Sequence, residues 1–192
     1  MNELMKHHMR EMMTDDTVFI TPVGSRLYGL ENENSDYDYL QVFGSRRRNS
    51  QSLHDEFDVR KFSWVGLYEM LLKKPTHTGL EALYSPFKMY GPAADTYTPF
   101  LSAYRPSIPQ MLNAFVSTAL GTLNVKDENK FKRFRLGLLL AHNFNNAKMN
   151  GGFYNPHLEA DEASRLTEYA EELFEQPEED RPALVRAEFG MY

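Results

Sequence analysis

Apolar residues recur along this chain at two different spacings, and the change between them divides it. Up to Phe62 they alternate or cluster in short β-branched and aromatic runs; from Ser63 onward they return every three to four residues. At the very start, Met5, Met9, Met12 and Met13, separated by charged and polar residues, predict a short amphipathic helix over Asn2 to Met13. Thr17 to Val23 (TVFITPV) reads as a strand whose hydrogen bonding ends at Pro22. Gly24-Ser25 and Gly29 mark irregular backbone, and the polar stretch Glu31 to Ser35 is a loop. Asp36 to Phe43 (DYDYLQVF) is a second strand, Gly44 and Arg46-Arg47-Arg48 a basic turn, and a third strand falls around Glu56 to Phe62.

The helical part begins where Ser63 can cap a helix with Trp64, Leu67, Tyr68, Leu71 and Leu72 on one face, stopped by Pro75. A short helix around Leu80 to Tyr84 precedes a loop rich in Pro and Gly. Ser107 to Leu123 then buries Met111, Leu112, Phe115, Val116 and Ala119. Lys126 to Met149 is the longest helix, ended by Asn150-Gly151-Gly152, and Asp161 to Phe174 is the last clear one, with Leu166, Tyr169, Ala170, Leu173 and Phe174 inward. The expected architecture is α+β: a small mixed β-sheet core, residues 1–90, then a helical region, residues 91–192, packed on it.

Composition narrows the chemistry. The chain has 192 residues and no cysteine, which excludes a disulfide scaffold, a Cys nucleophile and Cys-ligated metal sites. The longest apolar run, Leu136 to Ala141, is far too short to span a bilayer, and Met-Asn-Glu opens no apolar leader, so a cytoplasmic protein is expected. The formal net charge is −6, which argues against nonspecific coating of nucleic acid. That figure hides a split, because Glu159 to Asp180 alone holds ten acidic residues and one basic residue. The remainder is mildly basic and compatible with a polyanionic substrate, and the acidic segment is a solvated helix face or a surface for a protein partner.

The most informative stretch is VGSRLYGLENENSDYDYLQV, Val23 to Val42. Strand alternation predicts Asp36 and Asp38 on one face, where two carboxylates repel each other unless a cation joins them. Mg²⁺ suits such a site when substrate phosphates complete its shell. Gly24 lets backbone N–H groups approach a polyphosphate, and the Ser25 hydroxyl can donate to it. Asp58 on the next strand supplies a third carboxylate, and three such groups can hold two Mg²⁺ ions for an in-line displacement at phosphorus. Alternation sets Glu56, Asp58 and Arg60 opposite Asp55, Phe57 and Val59. Asp-x-Asp alone is common on surface strands; its ordered pairing with Gly-Ser and a third Asp is much more specific.

GSRLYGL followed by SDYDYLQV resembles the signature of the DNA polymerase β-like nucleotidyltransferase superfamily, and more narrowly a group of bacterial and bacteriophage nucleotidyltransferases linked to RNA repair. Phe57 to Pro86 and Lys130 to Leu158 carry further likeness, so the resemblance covers roughly Val18 to Leu158. It implies a palm-like sheet with Asp36 and Asp38 as ligands to both metals. Asp58 would ligate the catalytic Mg²⁺, for which Mn²⁺ can substitute, and help deprotonate the acceptor. Gly24 and Ser25 would bind the β- and γ-phosphates of an NTP, most often ATP. Attack on the α-phosphorus would then transfer a nucleotidyl group and release pyrophosphate. An RNA or tRNA end is the acceptor this favours; AMP transfer to a protein and a small-molecule acceptor stand beside it.

The basic residues have two readings each. Arg26 is a phosphate contact or an ordinary solvated side chain. Lys130 and Arg133, one turn apart at a helix start where the dipole disfavours them, reach a triphosphate or acceptor backbone, or form a solvated face. Arg46 to Arg48 guide an RNA strand or cap a hairpin. Tyr28 is a candidate for base stacking, and Glu81 matches a Glu of the resembled group, with packing or capping as its default. The competing class is a non-catalytic nucleotide- or partner-binding protein on the same fold.

Overall fold

In the computed structural model, which describes residues 1–33, 35–45, 50–53, 57–124 and 129–191, two strands buried on both faces organise the sheet. The predicted turn Arg46 to Arg48, together with Asp55, Glu56 and Lys126, lies outside the described residues. β1 (Thr17–Pro22), buried throughout, runs antiparallel to β2 (Asp38–Phe43). β4 (Asp58–Ser63) lies parallel to β2 on its other side. The exposed strand β3 (Ser50–Leu53) closes one edge against β4, and the two-residue β5 (Met89–Tyr90) closes the other against β1. The order β3-β4-β2-β1-β5 makes a mixed sheet, and with the helices an α+β fold.

One face of the sheet is covered by α1 (Glu3–Glu11), which Asn2 caps by accepting the Met5 N–H at 2.9 Å. Met9, Ile20, Tyr39 and Val59 form a core cluster there, with Met12, Met13 and Phe57 packed around it. At Ser63 the chain turns into α3 (Trp64–Tyr68), capped by the Gly66 N–H donating to Ser63 Oγ at 3.0 Å. The helix widens into a π-turn over Glu69–Lys73, closed by the Lys74 N–H on the Glu69 carbonyl at 3.1 Å. α4 (His77–Tyr84) follows. The stretch expected to be a Pro- and Gly-rich loop instead contains β5 and α5 (Thr98–Ala103). A run of aromatic contacts orders it: Trp64 lies 4.4 Å from Tyr97 between ring centres, and Phe100 stacks on Tyr104 at 5.3 Å.

The chain divides into two compact units, Met1–Lys74 with Thr78–Tyr104, and Pro75–His77 with Arg105–Tyr192. The second is helical: α6 (Ile108–Leu123), α7 (Lys130–Met149), α8 (Ala160–Phe174) and α9 (Arg181–Glu188). As expected, Gly151 and Gly152 end α7 with positive φ, and the Gly152 N–H donates to the Ala147 carbonyl at 2.8 Å. Two expectations are corrected. α9 extends the helical series beyond Phe174, seating Val185 against Gly137, where no Cβ intervenes. Tyr169 is 40% exposed rather than inward, because its hydroxyl donates to Glu188 Oε1 at 2.7 Å on the surface. Among the described residues no helix is long and apolar enough to cross a membrane.

Gly91 shows how tightly the β5 edge is joined to β1. Its N–H donates to the Val18 carbonyl at 2.9 Å, and an added Cβ would lie 2.3 Å from the Thr17 carbonyl oxygen. We expect Gly91→Ala to destabilise the protein by about 3 kcal/mol through this overlap. Urea denaturation reads it as a lowered midpoint at unchanged slope; a wild-type midpoint would refute it.

Candidate active site

The register of two parallel strands creates the central feature. Asp38 and Asp58 are direct partners across β2 and β4, so their Cα atoms stand about 4.8 Å apart and their side chains leave the same face. Tyr39 and Val59, one residue on, turn the other way into the core beside Met9 and Ile20, which is why the carboxylates emerge on the opposite face. Phe57 packs on that same core, so the expected alternation of Phe57 and Val59 against Asp58 and Arg60 is present.

β1 delivers the glycine turn to the same place. The Val23 N–H donates to the Asp38 carbonyl at 3.0 Å, and Gly24 follows with φ 68° and ψ −149°. A Cβ on Gly24 would sit 3.4 Å from Asp38 Oδ2, so this backbone passes directly beside that carboxylate. Ser25 opens the single turn α2 (Ser25–Tyr28), ended by Gly29 in the left-handed conformation.

Asp36 departs from expectation. The strand begins at Asp38, and among the described residues the last bond before it joins the Asp58 N–H to the Tyr37 carbonyl at 2.8 Å. Arg26 holds the segment ahead of it, with Nε and Nη2 donating to the Asp36 and Ser35 carbonyls at 3.1 and 2.5 Å. Its guanidinium also lies 3.6 Å from the centre of the Tyr37 ring. Asp36 is exposed and stands before the strand. Among the described residues no three His, Asp or Glu side chains are gathered closely enough to hold a metal ion. The Asp38 and Asp58 pair, two hard oxygen donors at one strand register, fits a Mg²⁺ that keeps water and substrate phosphate in the rest of its shell.

Glu81 is the residue whose place the sequence left open. It is 5% exposed, accepts from the Tyr28 hydroxyl at 2.5 Å, and faces the Gly24 N–H at 3.5 Å, so α4 holds the glycine turn from behind. Tyr28 is itself buried, which removes its ring from any base-stacking role. One turn beyond Glu81, Ser85 accepts from Thr21 Oγ1, and its carbonyl accepts from Lys88 Nζ at 2.6 Å. Burial brings the Lys88 ammonium down from 10.5 to about 8. Lys130 and Arg133 belong to the second unit, where Lys130 Nζ bonds both carboxylate oxygens of Glu178 at 2.9 Å.

A palm-like nucleotidyltransferase arrangement of carboxylate strands and a glycine turn is the class these elements define. Residues 1–105 match the model of the RNA repair pathway DNA polymerase beta family, RlaP, and the chain belongs to that family. The match includes α1, which the resemblance placed outside, and ends before the Lys130 to Leu158 stretch it had included. A crystal structure of a nucleotidyltransferase-like protein from Exiguobacterium sibiricum 255-15 matches at 12% identity and a TM-score of 0.33, covering 96% of this chain and 70% of that one. No curated protein matches.

Two consequences are measurable. Because Lys88 binds its proton less tightly folded than unfolded, the unfolded chain holds more protons between about pH 8 and 10.5, and stability rises with pH across that window. Lys88→Met is expected to exceed the wild type in stability at pH 7, the gap closing toward pH 10.5; a gap independent of pH would contradict this. Arg26→Lys keeps the charge but loses the fork, and hydrogen exchange at the amides of residues 35–38 should quicken about tenfold, the equivalent of about 1.4 kcal/mol. Unchanged exchange would remove Arg26 from its role in holding this segment.

Proposed function

We propose that this chain is a divalent-metal-dependent nucleotidyltransferase that moves NMP from an NTP, ATP by preference, to the hydroxyl of an RNA or tRNA end, releasing pyrophosphate. The observation that carries the proposal is the Asp38–Asp58 register pair with the Gly24 backbone set against Asp38. Membership of an RNA repair pathway family supports RNA as the acceptor.

In this reading the catalytic machinery belongs to the first unit. Asp38 and Asp58 would hold Mg²⁺, or Mn²⁺ in its place, and Asp36, which stands before the strand, would join them as the third carboxylate. Bound there, the metal supplies neutralisation of the phosphate charge. The Gly24 N–H and Ser25 hydroxyl bind the β- and γ-phosphates. At 3.5 Å, the present contact of that N–H with Glu81 is long enough to be exchanged for a phosphate oxygen. Arg26 keeps the Asp36 segment in place through its two carbonyl bonds, and Glu81 keeps the turn in place through Tyr28. The acceptor oxygen attacks the α-phosphorus as its proton passes to the Asp58 carboxylate. The bond from the α-phosphorus to the bridging oxygen breaks, and pyrophosphate leaves.

Incubation with each α-labelled NTP, Mg²⁺ or Mn²⁺, and bulk tRNA or cell extract tests this on a gel. We expect label on RNA, and Asp38→Asn and Asp58→Asn to lower transfer by at least about 10²-fold. Label on protein alone would overturn the RNA acceptor while leaving the enzyme class. No transfer from any NTP, or wild-type transfer in both variants, would overturn the class and favour a non-catalytic binding protein.

A further inference from the structure

We propose that the second unit carries an anion site of its own, a cavity that takes a phosphoryl group. The cavity, of about 210 Å³, lies where α6 ends and α7 and α9 begin, and three cations line it: Lys130, Arg133 and Arg181. Among the described residues, Glu178 is the one carboxylate on its wall, against three cations. Leu123, Phe134 and Pro182 supply apolar wall, which lowers the local dielectric and strengthens attraction to an anion.

Three features make a phosphoryl group the fitting guest. Two of the cations are guanidinium forks, whose geometry matches tetrahedral phosphate oxygens in pairs. Lys130 is the first residue of α7, and no side chain among the described residues caps that helix, so its first-turn N–H groups add to the positive potential. Arg181 is fixed by its Nη2 donating to the Phe174 carbonyl at 3.0 Å and by its guanidinium lying 3.6 Å from the Phe174 ring centre. Its Nε is buried and has no hydrogen-bond partner among the described residues, an unsatisfied charged donor. The volume is below the roughly 300–1,000 Å³ that encloses a drug-sized ligand, so the site holds a phosphoryl group and little of what bears it.

Glu178 is the resident competitor. Its carboxylate is held by Lys130 at 2.9 Å, with the two side chains 63% and 51% exposed, and that ammonium holds the Glu178 carboxyl below its ordinary range. An ion pair this exposed contributes little, so an incoming dianion displaces it at small cost. The cavity also gives Lys130 and Arg133 a use at a helix start, where the dipole disfavours them: these charges serve a ligand rather than the helix.

Calorimetric titration of the full chain in EDTA, which silences any metal-dependent site at Asp38 and Asp58, tests the proposal. The probes are inorganic phosphate, pyrophosphate, and one short RNA with and without a 5′-phosphate. We expect binding that Arg181→Gln and Arg133→Gln each weaken about tenfold and that Glu178→Gln strengthens about fivefold. Preference for the 5′-phosphorylated strand, with competition by inorganic phosphate, identifies a terminal phosphate as the guest; inorganic phosphate binding without discrimination between the strands identifies the free ion. Both outcomes support the site. If no probe binds, or if binding ignores the two arginine variants, the site does not exist. Should Arg181→Gln fail to fold, Glu178→Gln on its exposed side chain decides: unchanged affinity there overturns the proposal. The result is independent of nucleotidyl transfer, which Asp38→Asn removes without touching this cavity.

Discussion

The parallel pairing of β2 with β4 is the constraint on which the first unit depends. It sets Asp38 opposite Asp58, and the same register drives Tyr39 and Val59 into the cluster with Met9 and Ile20. A slip of one residue would put carboxylates in the core and the Tyr39 and Val59 side chains on the other face, so the core enforces the carboxylate pair. Tyr39 makes the enforcement stricter. It is 1% exposed, its hydroxyl lies 3.0 Å from His8 Nδ1, and burial raises its pKa well above the usual tyrosine range. That hydroxyl needs its partner on α1, so the N-terminal helix is part of what positions the candidate site.

A parallel neighbour also needs a return path, and here β3 provides it at the exposed edge. Its sequence, SQSL, is mostly exposed and shows no apolar alternation, so nothing in the pattern marked it as a strand. β5 is two residues long and was equally invisible. By contrast, the runs that became β1, β2 and α1 were legible because each buries its apolar residues against the others. The pattern reports burial, and elements that bury little leave no pattern.

The same logic sorts the candidate residues. Asp38 and Asp58 sit inside strands, and alternation placed them correctly relative to Tyr39 and Val59. Asp36 does not, and its segment is held from outside the strand by a side chain ten positions away, Arg26, which bonds the Ser35 and Asp36 carbonyls. Glu81 was beyond reach for a related reason, since its partners Tyr28 and Gly24 are more than fifty residues distant. A basic residue after a glycine turn reads locally as a phosphate contact or a solvated side chain; its bonds to two backbone carbonyls are set by the fold.

Net charge misled in the same way, by averaging over distance. The acidic block from Glu159 to Asp180 reads as a solvated helix face or a partner surface, yet its members act separately. Oε2 of Glu162 accepts the Glu159 N–H at 3.2 Å at the start of α8, while Glu178 reaches across to Lys130. Glu178 thereby lies among Lys130, Arg133 and Arg181, so the most acidic stretch of the chain borders a cavity lined by three cations. Screening confines exposed charges to about 8–10 Å at physiological salt, so a ligand in that cavity responds to the charges around it and not to the −6 of the whole chain. Partner chemistry is therefore set at the scale of a single cavity, and an overall acidic protein can present a phosphate-sized site.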